Sequence, residues 1–482
     1  SRSTRKRAAS SQKSQEEGAV PVPVSSNSSL HTCLHACVHT HTHMYVYLYA
    51  YTCTHTHTHN IHTTLPAGVP RKRQQRQTRL DPDMLLRGSM LASASRCEWV
   101  LHHKTLWTLQ VGAVCRERPR IAAFDFDDTL VSTRSGRKFP QDGADWTLWH
   151  PKVAASLKQL HEDGYRVVVF SNQNGASAKA KTGAAKLQVM QQRMADAVGS
   201  LGIPVTVLAA VEKDLHRKPA LGMVEFLEAE DSSVPLKLSD SIFVGDAAGR
   251  PEDWKPGRKK DFSCSDRKFA HNMGCQFFTP EEFFLGEEVA PFSWGEFLPA
   301  DYVASLEGAP LFEPHDTPLA RHGIQDIVVF CGFPGAGKSS FAKKYLIPEG
   351  YVHINQDTLK SREKCVQATL EAVKRGQSVV VDNTNPDVAV RALYVKIGRE
   401  FSVPVRCFWF HIPEGLAHHL NAYRETITKG AHSQVPGMAY NIFKGRFEEP
   451  SLEEGFSEIK TIKWAPDFPD EDAKQKFLRF TS

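Results

Sequence analysis

Gly332-Phe333-Pro334-Gly335-Ala336-Gly337-Lys338-Ser339 fits the pattern GxxxxGK[ST], and its flanks decide what the pattern means. Before it, Asp326-Ile327-Val328-Val329-Phe330-Cys331 is a short apolar run of strand character. After it, Ser340-Phe341-Ala342-Lys343-Lys344-Tyr345-Leu346 can start a helix. Strand, glycine loop and helix in that order aim backbone N–H groups at a phosphate held on a helix N-terminus. Gly332, Gly335, Ala336 and Gly337 would line that phosphate. Lys338 is placed to reach the β and γ phosphates of a nucleoside triphosphate, and Ser339 to hold Mg²⁺. The bland alternative, a structural glycine turn, leaves both flanks unexplained.

A second motif lies about 200 residues earlier. Ile121-Ala122-Ala123-Phe124 reads as a buried strand, and Asp125-Phe126-Asp127-Asp128-Thr129 follows it. Two carboxylates at i and i+2 beyond a strand suit Mg²⁺-dependent phosphoryl transfer: one attacks phosphorus and the other protonates the leaving oxygen. Taken alone, such a pair is as often a solvated acidic turn. The rest of the chain weighs against that. Val167-Val168-Val169-Phe170 runs into Ser171-Asn172, Lys218-Pro219 follows a loop, and Ile242-Phe243-Val244 runs into Gly245-Asp246. A hydroxyl, an ammonium and a further carboxylate thus fall at or near strand ends in a chain that alternates strand and helix. That is the crevice of an open parallel sheet.

These four elements resemble the haloacid dehalogenase superfamily of phosphatases. The resemblance implies that Asp125 is the nucleophile, Asp127 the general acid/base, Ser171 a phosphate-binding hydroxyl, Lys218 the phosphate-neutralising lysine and Asp246 a metal ligand. It implies Mg²⁺ held by Asp125, Asp246 and the backbone carbonyl of Asp127. Asp266, with Ala270 and Gly274 behind it, resembles the second acid of the last motif. A phosphatase of this kind followed by a P-loop kinase resembles the bifunctional polynucleotide kinase 3′-phosphatases. The likeness runs from about residue 119 to residue 482 and includes Thr133-Arg134-Ser135-Gly136, Val244–Pro251 and Asp382-Asn383-Thr384-Asn385-Pro386. It implies an enzyme that removes 3′-phosphates and phosphorylates 5′-hydroxyls at DNA strand-break ends with ATP. In the kinase half, Asp357 matches the family's general base, although a helix N-cap before residues 359–375 is an alternative for it. Asp382 is a candidate to support the metal or the acceptor, Arg424 matches an ATP-binding lid arginine, and Arg446 is a further basic candidate. Asp128 stands where the family usually has Gly, Gln356 beside Asp357 where Arg is common, and Ala422 where a second lid arginine is frequent. A phosphatase fused to a small-molecule or RNA kinase is the competing reading, because one fold hosts many substrates.

The chain of 482 residues is long enough for about three domains. Its net charge of +5 suggests nucleic-acid binding less than it first promises. Residues 1–118 carry 15 Lys and Arg against 6 Asp and Glu; the remaining 44 and 48 leave residues 119–482 at −4. Any DNA-binding surface there is local, as at Arg258-Lys259-Lys260. Ten Cys without a repeated C-x-x-C spacing argue for reduced thiols, and no stretch is apolar enough for a membrane span.

Residues 1–97 read as low-complexity and disordered. His39–His62 alternates His with Thr, interrupted by Met44-Tyr45-Val46-Tyr47-Leu48-Tyr49-Ala50-Tyr51, and His-Thr alternation is what a CA dinucleotide repeat yields on translation. Cys33, His35, Cys37, His39 and His41 have metal-binding chemistry but no defined pair spacing. The family resemblance would put a forkhead-associated domain here. Its strands and its Arg- and Ser-containing loops are not recognisable, so phosphothreonine scaffold binding is not expected. Arg5-Lys6-Arg7 and Arg71-Lys72-Arg73 suit a nuclear protein, with mitochondria as a second compartment, and a monomer is expected.

The fold class expected is α/β: two doubly wound parallel-sheet domains, a haloacid dehalogenase-like phosphatase and then a P-loop kinase, after that N-terminal stretch. Residues 98–118 read as a connector, 119–300 as the phosphatase, 301–325 as a proline-containing linker and 326–482 as the kinase. Strands are expected at 120–124, 166–170, 205–209 and 241–245, then at 326–331, 351–354, 377–382 and 404–411. Helices are expected at 151–163, 184–200, 219–229 and 266–273, then at 338–346, 359–375, 387–400 and 414–425.

Overall fold

The computed structural model describes residues 98–306 and 308–482. The readings made of residues 1–97, including the Cys/His cluster and the two basic runs, lie outside the described residues.

The first domain is built on a seven-stranded sheet. Its strands are β1 (Trp99–His102), β2 (Leu106–Val111), β3 (Ile121–Phe124), β6 (Arg166–Asn172), β7 (Val205–Ala210), β8 (Ile242–Val244) and β9 (Gln276–Phe278). The spatial order is β1-β2-β7-β6-β3-β8-β9. A small hairpin, β4 (Val131–Ser132) with β5 (Thr147–Leu148), stands outside it. Four helices, α1 (Lys152–Glu162), α2 (Gly183–Gly199), α3 (Gly222–Asp231) and α4 (Ser265–Met273), cover the sheet.

The strands have no polar face because the sheet is buried on both sides. Side chains alternate. Phe124, Val167, Val169 and Val207 pack with α1 and α2 through Leu157, Met190 and Met194. Ile121, Val168, Phe170 and Leu208 pack on the other side with α3 and α4 through Met223, Leu227 and Phe269.

The second domain repeats the plan. Helix α5 (Pro299–Ser305) leads into a six-stranded sheet: β10 (Phe312–Glu313), β11 (Ile327–Gly332), β12 (Val352–Ile354), β13 (Val379–Val381), β14 (Val405–Phe410) and β15 (Glu458–Ile462). The order is β10-β15-β14-β11-β13-β12. One face packs on α6 (Lys338–Tyr345), α10 (Glu414–Ile427), α11 (Gly437–Arg446) and α12 (Glu471–Leu478). The other packs on α8 (Arg362–Lys374) and α9 (Val388–Phe401), with the short α7 (Gln356–Leu359) preceding them.

Three expectations need correction. The sheets are mixed rather than wholly parallel: β1 and β2 run antiparallel to their neighbours, and β10 runs antiparallel to β15. Residues 98–111 are therefore edge strands of the first sheet, with Leu106 and Leu109 buried on opposite faces. The stretch read as a linker supplies α5 from Pro299 and the edge strand β10. The helix expected at 359–375 is α8 and starts three residues later, at Arg362, because Lys360 turns to a φ of 71° and Ser361 caps the helix through Lys364 N–H.

The chain's last residues tie the domains together. The Phe480 backbone exchanges two hydrogen bonds with Asn272 of α4, each 2.8 Å, and its ring stacks on Trp294. Thr481 hydrogen-bonds His419 of α10 at 2.9 Å.

Two candidate active sites at strand ends

Because β6, β3 and β8 are adjacent and parallel, their carboxyl ends bring three sequence-distant segments together. Asp125 follows β3, with its N–H donating to Val244 O at 2.8 Å. Ser171 lies near the end of β6 and Asp246 two residues beyond β8. Lys218 Nζ donates to Asp125 Oδ1 at 2.5 Å and lies 2.8 Å from Asp266 Oδ1. Carboxylate oxygens of Asp125, Asp246 and Asp266 lie within 4.8 Å of one another. Asp266 reaches so close because residue 245 is glycine: a Cβ there would sit 2.5 Å from Asp266 Oδ2.

This packing sets the electrostatics. Burial pushes the Asp125 carboxyl up to about 7, against the pull of Lys218. Burial, then Asp266 and Asp125, raise Asp246 well above the carboxylate range. Burial alone would lower Lys218, but Asp125 and Asp266 hold it above its ordinary value. Three hard-oxygen donors that repel one another, Asp125 and Asp266 buried and Asp246 half-buried, fit a divalent cation such as Mg²⁺.

Asp127 is placed differently. Its side chain is outside the three-carboxylate cluster and is held by two groups that sequence reasoning missed. Arg193 of α2 donates to Oδ1, and Gln173 Nε2 donates to Oδ2 at 2.7 Å and to Ser171 Oγ at 2.9 Å. Arg193 had a signal. It occupies the apolar stripe Met190, Arg193, Met194, Ala197, where a charge needs a partner. Gln173 is two residues after Ser171, on the same side of the strand's continuation.

The second site lies where β11 runs into α6. Gly335 has a φ of 77°, and a Cβ there would stand 2.9 Å from Tyr440 Oη and 3.0 Å from Ala417 O, so the loop closes only around glycine. Lys338 Nζ donates back to Gly332 O at 3.0 Å and Phe333 O at 2.5 Å. Burial pulls its ammonium down to about 8. Phosphate oxygens would replace those carbonyls.

The neighbouring parallel strands supply the rest. Asp382 follows β13, and its Oδ2 accepts from Asn355 Nδ2 at 3.1 Å; His353 Nε2 lies 2.9 Å from the same oxygen. Its burial is outweighed by bonds from His353 and Ser339, which hold the carboxyl low. Asp382 thus adjoins the Ser339 hydroxyl. His353 and Asn355 had no place in the sequence reading.

Asp357 is exposed in α7, beyond β12. Its N-cap reading fails: Asn355 caps α7 and Ser361 caps α8. Arg424 of α10 hydrogen-bonds Asn421 at 3.3 Å and lies near Tyr440, the side chain that abuts Gly335. Arg446 pairs with Asp387 at the start of α9 and has no hydrogen bond to the glycine loop.

The sequence comparisons agree with this division. A family model described as polynucleotide kinase 3 phosphatase matches residues 120–284, and one described as an AAA domain matches residues 327–450. The bifunctional polynucleotide phosphatase/kinase of Schizosaccharomyces pombe is 39% identical over 358 residues, covering 74% of this chain and 83% of that protein. A polynucleotide 3′-phosphatase of Arabidopsis thaliana is 33% identical over 184 residues, covering 36% of this chain and 25% of its own length. Together with two phosphoryl-transfer sites on two strand-end crevices, these matches make the chain a member of the bifunctional polynucleotide phosphatase/kinase family.

Proposed function

We propose that the protein repairs DNA strand-break ends, converting 3′-phosphate and 5′-hydroxyl termini into 3′-hydroxyl and 5′-phosphate termini. The observation that carries this reading is the coexistence of the Asp125–Lys218–Asp266 cluster and the Lys338 loop at the ends of separate sheets.

In the phosphatase site, Asp125 attacks phosphorus in line and the P–O bond to the 3′-carbon's oxygen breaks. Asp127 gives that oxygen a proton, and then takes one from the water that hydrolyses the aspartyl-phosphate. Lys218 and Ser171 hold the phosphoryl oxygens. Gln173 touches both Ser171 and Asp127, so it fixes the proton donor relative to the phosphate. Asp125, Asp246 and Asp266, with the Asp127 carbonyl, would hold Mg²⁺, which when bound offsets the repulsion between carboxylate and phosphate.

In the kinase site, the glycine loop and Lys338 cradle the ATP phosphates while Asp357 orients the 5′-hydroxyl and accepts its proton. Ser339 and Asp382 would hold a second Mg²⁺. Arg424 adds positive charge beside the loop.

The phosphatase chemistry is tested by acid-quenching a reaction with an oligonucleotide carrying a radiolabelled 3′-phosphate. Label is expected on the peptide containing Asp125, and none in Asp125→Asn. Turnover by Asp125→Asn would overturn the assignment.

A further inference from the structure

Arg193 is a buried charge with one partner. Its side chain is 4% exposed, on the face of α2 that carries Met190, Met194 and Ala197 into the core. Among the described residues its single hydrogen bond and its single ion pair go to Asp127 Oδ1. Its Nε–H has no acceptor there, and its guanidinium carbon lies 5.2 Å from the ring centre of the fully buried Phe126. Asp145, which also feels its charge, accepts from Ser135 and Gln141 instead.

Stability does not account for this arrangement. Taking a guanidinium out of water is costly, and an apolar side chain of similar volume in place of a buried ion pair is often neutral or stabilising. The pair is also lopsided. Arg193 is enclosed, whereas the Asp127 side chain is 43% exposed and open to substrate and water. The core thus carries a cation whose one engagement is the carboxylate that must pass a proton.

A free aspartate turns among several rotamers. Asp127 is held on both oxygens, by Arg193 on Oδ1 and by Gln173 Nε2 on Oδ2 at 2.7 Å. A carboxylate has about four lone-pair sites, so two bonds fix its plane and leave room for the proton. The two holders have different roots. Gln173 is tied to Ser171 Oγ at 2.9 Å, which sets Asp127 against the phosphate-binding hydroxyl. Arg193 is rooted in α2, which sets Asp127 against the sheet.

Resting on the phosphatase reading above, we propose that Arg193 is a positioning residue for proton transfer: it holds the Asp127 carboxyl aimed at the departing 3′-oxygen without touching substrate. Its contribution to the first half of the reaction is made wholly through Asp127. It therefore counts only where the leaving group needs a proton.

The test uses the full chain in excess over substrate and follows strand release in the first turnover, so that hydrolysis of the aspartyl-phosphate does not enter. One oligonucleotide carries an ordinary 3′-phosphate. Its twin carries the phosphate through sulfur, and the thiolate released when that P–S bond breaks needs no proton. Arg193→Met is expected to slow release from the oxygen-linked strand about 100-fold, the low end of what a general acid supplies, while slowing the sulfur-linked strand less than about threefold. The half-saturating enzyme concentration should move less than about twofold, because no substrate contact is lost. Arg193→Lys keeps the charge but not the fork. It is expected to lose about tenfold on oxygen and nothing on sulfur, and it decides the question alone if Arg193→Met does not fold. Asp127→Asn/Arg193→Met should be no slower than Asp127→Asn, because residues acting through one proton are not additive. Unchanged release from the oxygen-linked strand would overturn the inference. Equal losses on both strands, or a further loss in the double variant, would overturn it too and make Arg193 a support of the fold. If Asp127→Asn itself slows both strands equally, the acid role given to Asp127 in the functional reading fails as well.

Discussion

Asp128 has a φ of 53°, a left-handed conformation in which a side chain is strained, next to Asp127. Burial and the Asp127 charge push its carboxyl up. Asp tolerates this geometry better than most residues, yet glycine would relieve about 1 kcal/mol. Asp128→Gly is expected to raise the melting temperature of the phosphatase domain and to increase kcat/KM, because it also removes a negative charge near the incoming phosphate. A lower melting temperature in differential scanning calorimetry would show that the Asp128 side chain supports the turn. Asp125 gives a pH test. A carboxyl raised to about 7 by burial is protonated below that pH, and a metal ligand must be ionised. Added Mg²⁺ should therefore raise the melting temperature more at about pH 8 than at about pH 6. An equal rise at both would mean that Asp125 is already ionised without the cation. Lys338 has the opposite sign. Lowered to about 8, its ammonium is lost as pH rises through that value, so KM for ATP should climb above about pH 8. A flat profile would contradict the burial that the loop imposes.

The elements differ in how much of them the sequence makes plain. β3, β6, β8 and β11 are short uninterrupted apolar runs ending on polar residues, so both the strand and its functional end are readable from residues 121–125 or 327–332 alone. The β1–β2 hairpin is not. Its turn places His103 and Lys104 at φ values of 49° and 65° without the Gly or Asn that usually marks such a turn. The three-residue β9 and two-residue β10 exist only because a neighbouring strand supplies their hydrogen bonds. Site residues follow the same rule. Asp125, Lys218 and Lys338 belong to local motifs, whereas Arg193 and His353 gain meaning only when folding sets them beside Asp127 and Asp382. The hairpin also yields a prediction. β2 pairs with β7 along its whole length, from Leu106 to Val111, and Leu109 is in the core. Leu109→Ala should cost about 2–5 kcal/mol. A protein beginning at residue 98 should keep both activities, and one beginning at residue 113 should lose phosphatase stability. Unaltered chemical denaturation after removal of residues 98–112 would show that the sheet closes without them.

At the scale of the whole molecule, two sheets each carry one candidate phosphoryl-transfer site, and the hydrogen bonds between Asn272 and the Phe480 backbone join the domains. Neither site borrows a catalytic side chain from the other domain. The two activities are therefore expected to be separable by substitution in one domain at a time. No helix among the described residues is long and apolar enough to cross a membrane. The central claim is tested most directly on nicked DNA bearing a 3′-phosphate and a 5′-hydroxyl, with Mg²⁺ and labelled ATP. Wild type, Asp125→Ala and Lys338→Ala would be compared by gel for both termini. The expected result is that wild type converts both ends, Asp125→Ala transfers label to the 5′ end but leaves the 3′-phosphate, and Lys338→Ala does the reverse without needing ATP. Loss of both activities in either folded variant, or no action of wild type on either DNA end, would contradict the account.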